Sequence, residues 1–450
     1  MTDVSAADDV AVPVLDTPPP RAGLWHHRNF LYFWVGQSSS ELGSAVTAIA
    51  LPLVGVLLLG LDAFHMGAIA SASAFAVLIA SPFIGPVVDA MDRRRLMIIT
   101  DVGRALLLVS VPIAYWLHVL SFAQLIVVGG GMGVLTLAFT VAHQTFLPTI
   151  VQARSLADGN SKLEASESAA QVSGPGLAGW LIGIGGPAVA IVLDVVSYVV
   201  SVFCLIRVRI GSGRSATSPP AASSDTIVGD RRVARFLRDT KSGFNLLWDD
   251  PVLRAVGVSY AALGLFAQIQ VAVYMLFLVR SLHFSATLIG VIFSLSAVVG
   301  FVSALAGGRL TDRLGAGRLI VIGQAGMVAG GISLAAVAGS TIQAAGTMLL
   351  AEAFFAAGMS IYGVGSRTLN QTRVADEIRG RVIGASKVLY GIPVTGAGLI
   401  GGGLGTAFGL RTAMVVGAVG MTLALALVLR PQVWAVRAVP RDAQSPGTAA

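Results

Sequence analysis

The sequence predicts an all-α membrane protein of twelve transmembrane helices arranged as two pseudo-symmetric six-helix halves. Three observations predict it: an apolar composition, twelve runs long enough to cross a bilayer, and a repeat of motifs at a spacing near 223 residues. Of 450 residues, 55% are hydrophobic and 12% are charged. Soluble domains carry about 25% charged residues, so a soluble fold is excluded. The net charge of +7 does not point to nucleic acid, because the basic residues gather in loops between apolar runs. Cys204 is the sole cysteine, which leaves no intramolecular disulfide and no multi-cysteine metal site.

A bilayer crossing takes about 20 apolar residues. Runs that meet this cover 30–60, 67–89, 96–117, 121–146, 164–184 and 187–207 in the first half. In the second half they cover 252–279, 286–308, 319–338, 342–366, 383–406 and 409–430. Pro52 and several glycines are expected to kink the long first run. Residues 1–24 read as a disordered tail, 25–210 as the first half, 248–430 as the second and 431–450 as a second tail. Between the halves, 211–247 is a linker: a Ser/Pro/Ala-rich stretch, then a basic amphipathic helix with Phe236, Leu237 and Phe244 among Arg231, Arg232 and Arg235. That helix is expected to lie on the inner leaflet. With both termini cytoplasmic, only Arg280 and Arg411 of the 30 Lys and Arg residues fall at outward-facing loops. This bias sets the expected orientation.

The repeat runs through the chain. Gly85-Pro-Val-Val-Asp89 returns as Gly308-Arg-Leu-Thr-Asp312, offset by 223. Arg93 and Arg94 follow the first, and Arg313 the second. Glycine permits a tight turn between helices. The aspartate is expected at the mouth of the following helix, where the dipole favours it and arginines can pair with it. Trp25 and Trp248 share the 223 offset, and Gly174-Pro175-Gly-Leu-Ala-Gly179 is echoed by Gly396-Ala-Gly-Leu-Ile-Gly401.

On these residues the chain resembles the major facilitator superfamily over about 25–430. The loop signature Gly85–Arg95 departs from the family's pattern at Ala90, where arginine is usual, and at Asp92, where glycine is usual. Gly174, Pro175 and Gly179 resemble the fifth-helix signature of proton-coupled exporters, with Ala178 replacing a glycine; tight helix packing is the other reading. Phe30–Gln37 through Ala50-Leu51-Pro52, Leu193–Tyr198 and Val374–Val382 are similar to the enterobactin-exporter and macrolide-efflux branch. The resemblance implies a major facilitator fold, alternating access, and proton-coupled efflux of a bulky amphiphilic small molecule such as a drug, siderophore or secondary metabolite. It also implies a monomer in a bacterial cytoplasmic membrane, without metal or cofactor. Uptake of a nutrient or metabolite, and a non-transporting receptor, stand as alternatives. No Walker loop, His-Glu-x-x-His helix or nucleophile–base pair supports an enzyme.

Charged residues at membrane depth are costly and mostly functional. Glu41 in the first helix and Glu352 in the tenth are therefore candidates for proton coupling, with helix-packing carboxylates as the alternative. A ligand binding the ionised Glu41 and displaced by a proton is the expected scheme. Trp34, Gln37 and Ser44 share Glu41's helical stripe, and Phe355, Met359 and Tyr362 share that of Glu352. Tyr260, Gln268 and Tyr274 of the seventh helix complete the candidate cavity. Asp194, Ser197, Tyr198 and Ser201 read as packing on the sixth helix, and Asp101 with Arg104 as a local pair supporting the Asp89 turn.

Overall fold

The computed structural model describes residues 24–209 and 228–436. The two tails and the Ser/Pro/Ala-rich part of the linker lie outside the described residues. Helices α1 (Arg28–Leu53), α2 (Ala63–Ala90), α3 (Arg93–Trp116), α4 (Phe122–Ile150) and α5 (Leu156–Arg207) form the first half. Helix α6 (Val228–Asp249) leads into α7 (Pro251–Leu276), α8 (Ala286–Leu314), α9 (Ala316–Ala335), α10 (Thr341–Arg373), α11 (Asp376–Phe408) and α12 (Leu410–Ala426). A single turn, α13 (Pro431–Trp434), follows.

Ten described helices are long and apolar enough to cross a membrane. At 1.5 Å per residue, the 52 residues of α5 would reach about 78 Å, far more than one crossing. The chain turns back within it at Gly186, where φ is 78°. Each leg is one crossing, and the shorter apolar α12 completes twelve. Phe75, Phe83, Leu106 and Trp180 are exposed on the outside, as lipid-facing residues are.

The 223-residue repeat governs backbone detail as well as motifs. Gly186 is matched by Gly409, also at positive φ, between α11 and α12. Gly60 is matched by His283 at φ 54°. Helix α1 widens into a π-helical turn at Val54–Leu58, and α7 does the same at Phe277–Ser281. Pro52 stands just before this turn in α1, whereas α7 makes the same turn with no interior proline. Asp62 caps α2 and Ser285 caps α8, each accepting an amide three residues on.

The loop signatures also differ from expectation. Helix α2 continues through Ala90, so Asp89 sits in its last turn, where the dipole is unfavourable to a carboxylate. Asp92 is the cap of α3, accepting the Arg95 amide at 2.8 Å. In the second half the same position is Gly315, at φ 84°. Two different turns thus serve one connection, which accounts for Asp92 where the signature has glycine.

The molecule has a basic end, carrying the α2–α3 and α8–α9 turns, and an opposite end at Gly60 and His283. At the opposite end the hydrophobic core runs across the halves: Val56, Ala63 and Met66 pack into one cluster with Val273, Phe277 and Ile289. At the basic end each half has its own cluster, one around Phe30, Met97 and Phe146, the other around Val256, Ile320 and Leu369. The halves join at one end and part at the other. Helix α6 docks on the second half, with Gly243 against the Arg381 carbonyl of α11 and Leu247 buried. The side chains of Arg231 to Leu237 lie outside the described residues.

Candidate functional site: the cavity between the halves

Hydrogen bonds across the halves are all at the end opposite the basic one, among the described residues. The Phe64 amide donates to Thr406 Oγ1 at 3.0 Å, and the Leu399 amide to Ser71 Oγ at 2.9 Å. The Gly176 amide donates to Ser294 Oγ at 2.8 Å, and Thr287 Oγ1 to the Gly179 carbonyl at 3.1 Å. Arg280 Nη2 donates to the carbonyls of Gly60 and Leu61 at 2.8 and 3.0 Å. Glycine makes the approach possible. A Cβ on Gly179 would lie 3.0 Å from Thr287 Cα and 3.1 Å from Gly290 Cα. Gly174 instead packs α5 on Ala45 of α1, within its own half. The Gly174–Pro175–Gly179 element therefore seats α5 on both α1 and α8.

Toward the basic end the parted halves enclose a cavity of about 880 Å³ between α2 and α4 on one side and α7, α10 and α11 on the other. Ser73 stands at its inner limit. One wall is a stack of three rings: Tyr260 on Tyr362 at 4.5 Å and 9°, and Tyr260 on Tyr390 at 5.0 Å and 21°. Met359, Arg367, Asn370 and Lys387 line the same space. Beyond Ser73 lies a second cavity of about 450 Å³, lined by Ser44, Thr47, Asp194, Tyr198 and Tyr274 among others. Ser44 Oγ and the Tyr198 hydroxyl are 2.9 Å apart across its wall.

The predicted residues divide between these features. Tyr260, Met359 and Tyr362 line the large cavity; Ser44 and Tyr274 line the small one. Glu41 lines neither: Gln37 Nε2 donates to its Oε1 at 2.6 Å, and Glu167 of α5 and Arg104 of α3 act on it electrostatically. Glu352 is held by the Tyr274 hydroxyl, which donates to its Oε1. Neither carboxylate lines the large cavity, so the structure does not bring Glu41 to a ligand there. Trp34 gives its indole N–H to Ser166 of α5 at 2.8 Å and packs edge-on to Trp25, away from both cavities. Phe355 lies against Gly330 of α9, and Gln268 lines neither cavity. For Trp34 and Phe355 the neighbouring helices α5 and α9 occupy that part of the stripe.

Two further groups of polar residues, read from the sequence as packing on the sixth helix and as a local ion pair, are placed as follows. Asp194 is fully buried at the wall of the small cavity, accepting from Ser197 Oγ at 2.9 Å, with Oδ2 left without a hydrogen bond. Asp101 and Arg104 do pair, but at the centre of the first half and away from the Asp89 turn. Asp101 accepts from Ser201 Oγ at 2.6 Å, and the Arg104 guanidinium lies 4.3 and 4.4 Å from the rings of Phe139 and Tyr198.

At the basic end, Asp89 and Asp312 are exposed and neither meets an arginine within ion-pair distance among the described residues. A Cβ on Gly85 or Gly308 would find nothing within 4 Å. Arg94 ties α3 to the end of α5 through the carbonyls of Leu205 and Ile206, at 2.7 and 2.5 Å. Arg93 is half-buried and Arg313 exposed, neither in an ion pair. Asp250, the cap of α7, accepts from Arg373 Nε of α10 at 2.6 Å. Burial pushes its carboxyl up, but Arg373 and the amides of Leu253 and Val252 outweigh this and hold it below the usual range.

Sequence reasoning missed Arg367, Asn370, Lys387 and Tyr390. One signal was present: Lys387 lies inside the predicted span 383–406, with Tyr390 one helical turn on.

A bundle of two repeated halves with a cavity between them is the build of a secondary transporter. The sequence matches the Major Facilitator Superfamily over residues 33–397, and the chain belongs to that superfamily. It is 26% identical over 241 residues to the MFS-type transporter y4rN of Sinorhizobium fredii, covering 52% of this chain and 54% of that protein. It is 25% identical over 234 residues to the multidrug efflux pump Tap of Mycolicibacterium fortuitum, covering 51% and 54%. The matched region thus spans about half the length of these curated relatives. Among solved structures, a bacterial homologue of the iron transporter ferroportin in its inward-facing state superposes with a TM-score of 0.69 at 19% identity, over 91% of this chain and 99% of its own. The outward-facing state of such a homologue gives 0.55 over 89% and 98%.

Proposed function

We propose that the chain is a proton-coupled exporter of a bulky amphiphilic small molecule, working as a monomer by alternating access in a bacterial cytoplasmic membrane. The observation that carries this reading is the 880 Å³ cavity between the halves, sealed at one end by cross-half hydrogen bonds and open at the basic end. A cavity of that size suits a drug-sized molecule. With both termini cytoplasmic, as the charge bias favours, the state described here accepts cargo from the cell interior. The halves, 25–210 and 248–430, are the bodies that rock, and 211–247 joins them on the cytoplasmic side. The relationship to a multidrug efflux pump favours export over uptake.

Glu41 and Glu352 are the proposed proton sites, one in each half. Ser44 is one turn beyond Glu41, and Tyr274 is the partner of Glu352; both line the small cavity. A proton arriving through that cavity reaches the carboxylates without crossing the cargo space. Coupling is then conformational: neutralising a carboxylate removes the cost of holding its charge in a closing, drier surrounding.

A survival screen of an efflux-deficient host against a compound panel identifies cargo. Reconstituted in liposomes under an imposed pH gradient, the wild type should export it, and Glu41→Gln with Glu352→Gln should not. Undiminished gradient-driven export by the double variant refutes proton coupling through these residues. Labelling of Pro220→Cys in a Cys204→Ser background by an impermeant reagent outside intact cells refutes the orientation.

A further inference from the structure

We propose that the large cavity binds an anionic amphiphile bearing a ring: Arg367 and Lys387 hold the negative group, and the Tyr260–Tyr362–Tyr390 wall takes the ring. This rests on the export reading and names the class of its cargo. Among the described residues the lining contains two cations, Arg367 of α10 and Lys387 of α11, and no acidic residue. Basic residues at this end of a membrane protein need no ligand to explain them, so what distinguishes these two is that both line the cavity. Arg373, Arg94 and Arg254 are engaged by Asp250, by the carbonyls of Leu205 and Ile206, and by the Trp248 carbonyl, and Arg93 and Arg313, which are in no ion pair among the described residues, do not line the cavity. Arg367 and Lys387 make no ion pair or hydrogen bond among the described residues, and both are exposed into the same space.

The two cations come from different helices and converge beside an aromatic surface whose rings are nearly parallel. Offset stacking on such a surface accepts a flat ring of either charge. The cations decide the sign, since a positively charged ligand would meet two like charges with no compensating carboxylate among the described lining residues. Asn370 beside them, its Nδ2 bonded to the Ser366 carbonyl at 3.0 Å, leaves its side-chain oxygen free for a neutral donor on the ligand. The proton sites lie elsewhere, so an anionic cargo does not compete with Glu41 or Glu352. An anionic lipid headgroup shares this chemistry.

Pyrenesulfonate and pyrenemethylammonium carry the same ring with opposite charge. Equilibrium binding of each to the full chain in phosphatidylcholine nanodiscs, without a gradient, tests the site. The sulfonate should bind about tenfold or more tighter than the ammonium probe, as expected for charge-assisted bonds. The R367Q/K387Q variant should lose that preference, and Y390L should weaken both probes alike. Equal binding of the two probes, or an unchanged preference in R367Q/K387Q with an unaltered melting temperature, overturns the proposal. Doping the nanodiscs with phosphatidylglycerol distinguishes the sources. Competition that depends on Arg367 and Lys387 assigns the anion site to a lipid headgroup, and its absence assigns it to a free solute. A protein that binds the sulfonate but fails to export it under a pH gradient refutes the export reading alone. Export of the ammonium probe, unaffected by R367Q/K387Q, refutes the anion site alone.

Discussion

Arg280 is the charged member of the seal between the halves, and its removal should open that seal measurably. Its Nη2 bridges the carbonyls of Gly60 and Leu61 at 2.8 and 3.0 Å. Those carbonyls follow the π-helical end of α1, where helical partners run out. A hydrogen bond from a charged donor contributes about 1.5–3 kcal/mol, and exposure of Arg280 places it at the lower limit. A loss of about 1.4 kcal/mol moves a two-state equilibrium tenfold. Four neutral hydrogen bonds across the same seam remain among the described residues, so Arg280→Gln should shift the balance without abolishing the sealed state. Adding Thr287→Val removes the bond to the Gly179 carbonyl and should bring the shift to about a hundredfold. Spin labels on Val119→Cys and Ile342→Cys in a Cys204→Ser background report on it; the native residues are 65% and 86% exposed, one in each half at the sealed end. Double electron–electron resonance should show a longer distance gaining population in the single variant and more in the double. Superimposable distributions in all three proteins would refute the reasoning.

Gly179→Val forces a side chain into α8 at a place where even a Cβ is too close, at a cost of about 1–3 kcal/mol; the same spin labels should move apart. Tyr274→Phe takes the donor from Glu352 and should cut gradient-driven export about tenfold while leaving equilibrium cargo binding within about twofold. Asp250 binds its proton less readily folded than unfolded. Its contribution is therefore complete above the ordinary carboxylate pKa and is lost as pH falls through the depressed one. Arg373→Gln should lower stability at neutral pH by about 0.5–1 kcal/mol, a difference that shrinks in acid; thermal melting at neutral and acid pH checks the sign.

The crossings were legible because lipid imposes length and composition on every helix at once. The repeat was legible because backbone features as specific as a positive φ recur in both halves: Gly60 with His283, Gly186 with Gly409. Helix ends were not. Helix α10 continues to Arg373 and α11 begins at Asp376, well beyond the apolar runs, because the basic ends of these helices wall a water-accessible cavity and do not need lipid-compatible residues. The seal escaped notice for another reason. Ser71, Thr287, Ser294 and Thr406 look like ordinary small residues in a membrane helix, whose hydroxyls would satisfy themselves on a carbonyl one turn back. Only the approach of the other half makes them join it. The candidate site was half legible: Tyr362 was found by periodicity with Glu352, and Tyr260 as an aromatic residue of the seventh helix, whereas Tyr390 and Lys387 belong to the eleventh helix, from which no cavity residue was expected.

Gly85 and Gly308 are surrounded by nothing that a methyl group would touch, although each begins a repeated signature. A glycine that is spatially unnecessary in one shape is informative about another. On the proposed alternating-access cycle, these positions are the places at the parted end where a neighbour would dock in the opposite state. Filling one with a bulky side chain would act as a doorstop. It would leave the present arrangement untouched and forbid the next, which offers a way to hold the molecule still at a chosen point in its cycle.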